Sequence, residues 1–193
     1  MMLILASKSS ARQNMLRAAG LEFEIRPAEI DESVAQSSNA PPSEVAQELA
    51  RAKALHVAAG HPDALVIGSD QILECEGQIL TKAANKDEAR EKLKTLRGKT
   101  HSLISAVTLA KNDEILWQQT GNAFLTMHNF NDDFLESYIE RAGEALTRSV
   151  GAYELESTGV QLFETIKGDY FTILGMPLLP LLTYLRTQQG IGL

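Results

Sequence analysis

The chain opens Leu3-Ile4-Leu5-Ala6-Ser7-Lys8-Ser9-Ser10-Ala11-Arg12, and the reading of this stretch decides the fold. Leu3 to Ala6 is a short apolar run and reads as a buried strand. Ser9 stands where a helix cap belongs, and the helix runs to Ala19 before Gly20 closes it. Strand, hydroxyl-rich turn and helix in that order begin an α/β arrangement.

Working outward, the pattern repeats with variations. A second strand is expected near Glu22 to Arg26. Pro41, Pro42 and Ser43 then introduce a helix whose Val45, Leu49, Ala52 and Leu55 share an apolar stripe, with Lys53 on its other face. Ala64 to Gly68 is an apolar strand, and Gln71 to Cys75 and Gln78 to Leu80 flank a hairpin at Glu76-Gly77. Asp70 is thereby placed where strand hands over to hairpin. Asn85 with Glu88 resembles a capping box, Ala89, Leu93 and Leu96 form the buried stripe, and Gly98 ends the helix.

The period then changes to two. His101 to Ala110 and Ile115 to Met127 read as long strands joined at Lys111 to Glu114, followed by a helix around Phe134, Leu135, Tyr138 and Ile139 and a last one within Pro177 to Gln188. The expected class is α/β, an α+β domain with a mixed sheet. A length of 193 residues favours a single domain over 1–193. The only linker-like stretch, Gln36 to Pro42, is too short to separate two domains.

Charge and cysteine usage narrow the partners. Eighteen Lys and Arg against 25 Asp and Glu leave a net charge of -7, which lacks the basic footprint of a nucleic-acid coat. No apolar run reaches membrane-spanning length, and the N-terminus lacks the features of a signal peptide. Cys75, alone in the sequence, makes no internal disulfide or zinc knuckle, which favours the cytoplasm. An anionic ligand must therefore be met by local groups.

Three constellations could meet one. In the Ser7 to Arg12 turn, free amides at a helix start, the Ser7 and Ser9 hydroxyls and the Arg12 guanidinium suit phosphate oxygens. A plain cap at Ser9 with a solvated Arg12 explains the same residues. At the end of its strand, Asp70 in Gly68-Ser69-Asp70-Gln71 can orient and deprotonate water or hold a divalent metal; a turn-forming Asp is the competing reading. Glu29, Asp31 and Glu32 add carboxylates and Lys53 and Lys82 add cations, a mixture that fits a metal-nucleotide substrate. The four histidines, 56, 61, 101 and 128, show no ligand spacing and read as structural or exposed. By this route the chain is a phosphate-binding α/β enzyme with no substrate assigned.

With these segments in hand, the sequence resembles the Maf family of septum-formation proteins, which act as nucleoside triphosphate pyrophosphatases. The likeness spans residues 3 to 186. The opening Leu-Ala-Ser-x-Ser-Pro-Arg-Arg motif is matched by Leu5 to Arg12, with Ser10 and Ala11 in place of Pro and the first Arg. Glu29 to Glu32 matches an acidic segment, Leu49-Ala50-Arg51-Ala52-Lys53 a Leu-Ala-x-x-Lys helix, and Gly68-Ser69-Asp70 the Gly-Ala/Ser-Asp motif. Lys82-Ala83 stands for Lys-Pro, and Gly151-Ala152-Tyr153, Lys167-Gly168-Asp169 and Gly175-Met176-Pro177-Leu178 follow in family order.

The resemblance implies a Maf/ITPase-like, two-lobed domain with a substrate cleft, cleaving a nucleoside triphosphate to monophosphate and pyrophosphate. It makes Asp70 the general base and places Ser7, Ser9, Arg12, Lys53 and Lys82 at phosphate-contacting positions. It makes Glu32 and Asp70 the neighbours of a divalent cation, Mg²⁺ or Mn²⁺. Family members often form dimers, so it also implies a homodimer. A nucleotide-binding regulator of cell division with incidental hydrolysis is the alternative reading. Glu156 stands where the pyrimidine-preferring branch has Gln and a branch preferring 7-methyl-GTP has Glu. That implies a modified guanine nucleotide such as 7-methyl-GTP as substrate, ahead of dTTP and UTP, and a role in clearing non-standard nucleotides.

Overall fold

The computed structural model describes residues 2–33 and 40–192; Gln36 to Asn39 of the linker-like stretch lie outside the described residues. In chain order the elements are β1 (Leu3–Leu5), α1 (Ser10–Ala18), β2 (Glu24–Ile25), α2 (Pro42–Ala58), β3 (Leu65–Cys75), β4 (Gln78–Leu80) and α3 (Lys86–Leu96). There follow β5 (Thr100–Lys111), β6 (Glu114–Met127), α4 (Asp132–Ala142), α5 (Ala145–Arg148), a 3₁₀ turn (Thr158–Leu162), β7 (Phe163–Lys167), α6 (Tyr170–Ile173) and α7 (Leu178–Gln189). The class is α/β with a mixed sheet, as expected. Among the described residues no helix is long and apolar enough to cross a membrane.

The chain divides into two compact units. The first comprises Met1–Gln71, Ile104–Gly121 and Asp169–Leu193, and the second Ile72–Leu103 and Asn122–Gly168.

In the first unit the strand order is β2-β1-β3-β5-β6. β1 runs parallel to both of its neighbours, with Ile4 opposite Glu24 and Val66, and Leu5 opposite Ile25 and Ile67. Successive side chains in a strand point to opposite faces. Leu3, Leu5, Leu65 and Ile67 therefore meet Met15 and Leu16 of α1 and Leu178, Leu181 and Leu185 of α7. Ile4, Ala6 and Val66 meet Ala54, Val57 and Ala58 of α2 on the other face. Burial on both faces is why these parallel strands read as unbroken apolar runs.

Two expectations change here, and both bear on function. Ala52 and Leu55 of α2 are only half-buried, and the buried stripe runs through Val45, Leu49, Ala50, Lys53, Ala54 and Val57. Lys53 thus lies on the core face, not opposite it. Asp70 is not at a strand end either, because Leu65 to Cys75 form one continuous strand.

In the second unit β4 returns antiparallel to β3 around Glu76 (φ 52°) and Gly77 (φ 82°). Two positive φ angles in a two-residue connection match the right-handed twist of a hairpin. Asn85 caps α3 by accepting from the Glu88 N–H at 2.9 Å, and Glu88 returns the contact to Asn85 Nδ2 at 3.1 Å and to the Ala84 N–H at 2.9 Å. Ala89, Leu93 and Leu96 turn α3 towards α4 and α5. Arg90 fastens it to α4 through both oxygens of Glu136, at 2.6 and 3.0 Å. β7, which no periodicity signals, pairs antiparallel with β6 and buries only Phe163.

Candidate active site

The site in the first unit starts from a missing side chain. A Cβ on Gly68 would stand 2.2 Å from the Ala50 carbonyl oxygen and 2.5 Å from the Ala54 nitrogen. Only glycine lets α2 lie that close to β3. One turn of α2 spans this contact, and Lys53 sits within it, so its side chain reaches the strand two residues on from Gly68. Lys53 Nζ donates to Asp70 Oδ1 at 2.6 Å, and Glu32 Oε1 lies 2.6 Å from the same nitrogen.

Glu32 is half-exposed, whereas the side chains around it are dry. Asp70 is 5% exposed, and Lys53, Arg12 and Ser7 are each 8% exposed. Burial raises the Asp70 carboxyl above its ordinary pKa, against the opposing pull of Lys53 and Arg12. The Arg12 guanidinium is drawn down by burial and held up by Asp70 and Glu32, and it stays a cation. The solvated Arg12 considered from sequence is thereby replaced by a buried one. Two cations, Arg12 and Lys53, face two carboxylates, Glu32 and Asp70.

Arg12 is aimed by contacts on two sides. Its Nε donates to the Gly175 carbonyl at 2.9 Å and its NH1 group to Ser7 Oγ at 3.2 Å. Ser7 Oγ also accepts the Ser9 N–H at 3.2 Å, while Ser9 Oγ caps α1 by accepting the Arg12 N–H at 3.4 Å. A hydroxyl that accepts keeps its own proton to donate, so both serines can still meet an anionic oxygen.

Sequence reasoning missed the other side of this grip. Ser69 Oγ, fully buried, lies 2.8 Å from the Ala106 carbonyl and 3.0 Å from that of Gly175. Gln71 Nε2 donates to Ser105 Oγ and to the carbonyls of Thr172 and Ile173 at 2.9 to 3.1 Å. These bonds tie the segment from Asp169 to Gly175 to β3 and β5. Gly175 takes φ +113°, and a Cβ there would stand 3.3 Å from Arg12 Nε. The signal in the sequence was Gly175-Met176-Pro177-Leu178, which carries part of the family resemblance but names no partner for Arg12.

Lys82 and Glu156 belong to the second unit. Lys82 is exposed between β4 and α3, and Glu156 is exposed just before the 3₁₀ turn.

A divalent cation fits the donors of the first unit. Glu32 and Asp70 converge on one positive charge, the Lys53 ammonium, at 2.6 Å each. Two hard carboxylates completed by phosphate and water are what Mg²⁺ prefers, in contrast to the four-ligand cage of structural zinc.

The chain is similar to known proteins along nearly its whole length. The chain is 47% identical over 195 residues to a nucleoside triphosphate pyrophosphatase of Granulibacter bethesdensis, covering 99% of both chains. It is 48% identical over 194 residues to a 7-methyl-GTP pyrophosphatase of Rhizobium meliloti, covering 98% of both. A HAM1 protein from Coxiella burnetii superposes with a TM-score of 0.43 and 15% identity, over 67% of this chain and 75% of its own. The Maf-like protein family matches residues 2–188, and the chain belongs to that family.

Proposed function

We propose that this chain is a nucleoside triphosphate pyrophosphatase that hydrolyses the bond between the α and β phosphates. The observation that carries this reading is the buried Lys53 to Asp70 ion pair at 2.6 Å. A carboxylate raised by burial is a stronger base than one in water, and the adjacent ammonium favours its ionised, proton-accepting form. Water attacks the α phosphorus and passes a proton to Asp70. The bond from that phosphorus to the bridging oxygen breaks, and pyrophosphate leaves with the electron pair. Arg12, held by Gly175 and Ser7, and the hydroxyls of Ser7 and Ser9 receive phosphate oxygens, as does Lys82.

Arg12 and Lys53 are balanced by Glu32 and Asp70, so these four side chains offer a triphosphate no net attraction. Mg²⁺ or Mn²⁺ held by Glu32 and Asp70 would supply the missing positive charge on the phosphates. Selection of the base falls to Glu156. A carboxylate accepts two hydrogen bonds side by side, matching the N1–H and N2–H donors of a guanine edge, whereas thymine and uracil need a donor and an acceptor together. The preferred substrate is therefore 7-methyl-GTP or another modified guanine nucleotide, with dTTP and UTP second. The name of the Rhizobium relative supports this order. The role that follows is clearance of non-standard nucleotides.

The test is hydrolysis of a panel of canonical and modified triphosphates by purified protein in ¹⁸O-labelled water. Label in the monophosphate with unlabelled pyrophosphate is expected, and loss of turnover in excess chelator. Orthophosphate with a nucleoside diphosphate would overturn the reaction assignment. dTTP or UTP ranking first by kcat/KM would overturn the base assignment alone.

A further inference from the structure

Lys92, one turn along α3 from Glu88, has no part in the chemistry above. It is half-buried, and its ammonium donates to two backbone carbonyls from separate stretches of chain. One belongs to Thr81, and the other to Val150 at 3.0 Å. Thr81 directly precedes Lys82. Val150 opens the turn Gly151-Ala152-Tyr153 that leads to Glu156.

That turn is held in an uncommon conformation. Ala152 takes φ +59° without being glycine, which persists only where surrounding contacts over-determine it. Tyr138 donates its hydroxyl to the Ala152 carbonyl at 3.0 Å, Ser149 Oγ accepts the Tyr153 N–H at 2.8 Å, and His101 Nε2 lies 2.7 Å from the Tyr153 hydroxyl. These three ties fix the turn's own shape. The tie through Lys92 differs, because it joins the turn to the segment that carries Lys82. Ammonium burial is unfavourable unless its donors are used; here it lowers the Lys92 pKa to about 8, with Glu88 opposing.

We propose that Lys92 is a positioning residue for nucleotide binding: by holding the Thr81 and Val150 carbonyls on one ammonium, it fixes the Lys82 segment against the turn leading to Glu156. A phosphate contact and a base contact are then presented at a set spacing, and the nucleotide does not have to order them. The inference rests on the functional reading given above for Lys82 and Glu156. Its signature is in binding and base discrimination, since no reacting atom is touched.

The test is steady-state kinetics of Lys92→Met and Lys92→Arg with 7-methyl-GTP and dTTP, beside wild-type protein and thermal melts of each. Expected for Lys92→Met is a KM raised about tenfold with kcat within about twofold, and a narrowed ratio of kcat/KM between the two nucleotides. Lys92→Arg, which keeps the donors, is expected to return KM to within about threefold of wild type. A folded Lys92→Met with unchanged KM and unchanged discrimination would overturn the proposal, as would a lowered melting temperature with no kinetic change. If Lys92→Met does not fold, Lys92→Gln is read by the same two outcomes, and failure of both to fold would make Lys92 a folding residue and overturn it. Wild-type protein that releases no pyrophosphate would instead bring down the functional reading, and this proposal with it.

Discussion

Gly68 and the Ala50 carbonyl are so close that a single methyl group on Gly68 would lie 2.2 Å from that oxygen. The contact is backbone against backbone, so nothing flexible can give way. Gly68→Ala is expected to push α2 off β3, destabilise the fold by about 1 to 3 kcal/mol and lengthen the Lys53 to Asp70 pair. Denaturant melts and turnover, measured together, check this. Normal turnover in a folded Gly68→Ala would show that the close approach is not what sets the pair.

Asp70→Asn keeps the shape and removes the base, and turnover is expected to fall by roughly 10² or more in a folded protein. The sign of a second effect follows from Lys53. Burial holds the Asp70 carboxyl above its ordinary pKa while Lys53 pulls it down, so kcat should rise with pH through a pKa above the usual carboxylate range. Lys53→Met removes the downward pull, and the midpoint should move to higher pH still. A midpoint moving to lower pH would contradict the assignment of the base.

Arg12→Lys preserves the charge but loses the fork that meets Gly175 and Ser7. Charge-assisted bonds of this kind contribute about 1.5 to 3 kcal/mol, so the KM for the triphosphate is expected to rise roughly tenfold or more. Substrate titration at fixed metal concentration measures it. Equal KM values would mean that the contacts with Gly175 do not aim Arg12.

His101 should set an acid limit to stability. Its ring is buried, and burial alone lowers its pKa from 6.5 to about 4. Between these values the unfolded chain binds the proton and the folded one does not, so stability falls as pH drops from about 6.5 towards about 4. The loss is at most about 3 kcal/mol. His101→Gln removes the titration and leaves Tyr153 a hydrogen-bonding partner. Denaturation midpoints measured across this window should flatten in the variant, and an unchanged slope would assign the acid sensitivity elsewhere.

Glu156→Gln supplies a donor where guanine needs an acceptor. A preference for 7-methyl-GTP over dTTP is expected to shrink by about 1 to 3 kcal/mol. The ratio of the two kcat/KM values reports it directly, and an unchanged ratio would move base recognition away from Glu156.

How much of this was legible in the sequence depended on what kind of signal carried it. Ser9, Asn85 and Glu76-Gly77 announced a cap, a cap and a turn through side-chain chemistry and backbone preference, and each is found in place. Lys53 was assigned to the wrong face because a lysine is assumed to seek water, and its buried partner lies 17 residues further on. Asp70 looked like a strand end because Gly68 and Ser69 interrupt the apolar run; in fact glycine is required there by α2 and Ser69 is required by Gly175. β7 was unreadable, since four of its five residues are exposed and the pairing with β6 supplies what periodicity does not. The Gly175 carbonyl was beyond reach for a different reason. Every residue has a carbonyl, and only the fold says which one meets Arg12.

The bond between Arg12 and Gly175 joins residues 163 apart in the chain. On a ribosome adding roughly 5 to 20 residues per second, Arg12 is made about 8 to 33 seconds before the carbonyl that will aim it. Throughout that interval the first unit lacks α7, and of the two contacts that aim the guanidinium only the one to Ser7 can form. The candidate site is thus a late product of biosynthesis. A nascent chain arrested before Gly175 carries Asp70 and Lys53 but holds its guanidinium unaimed.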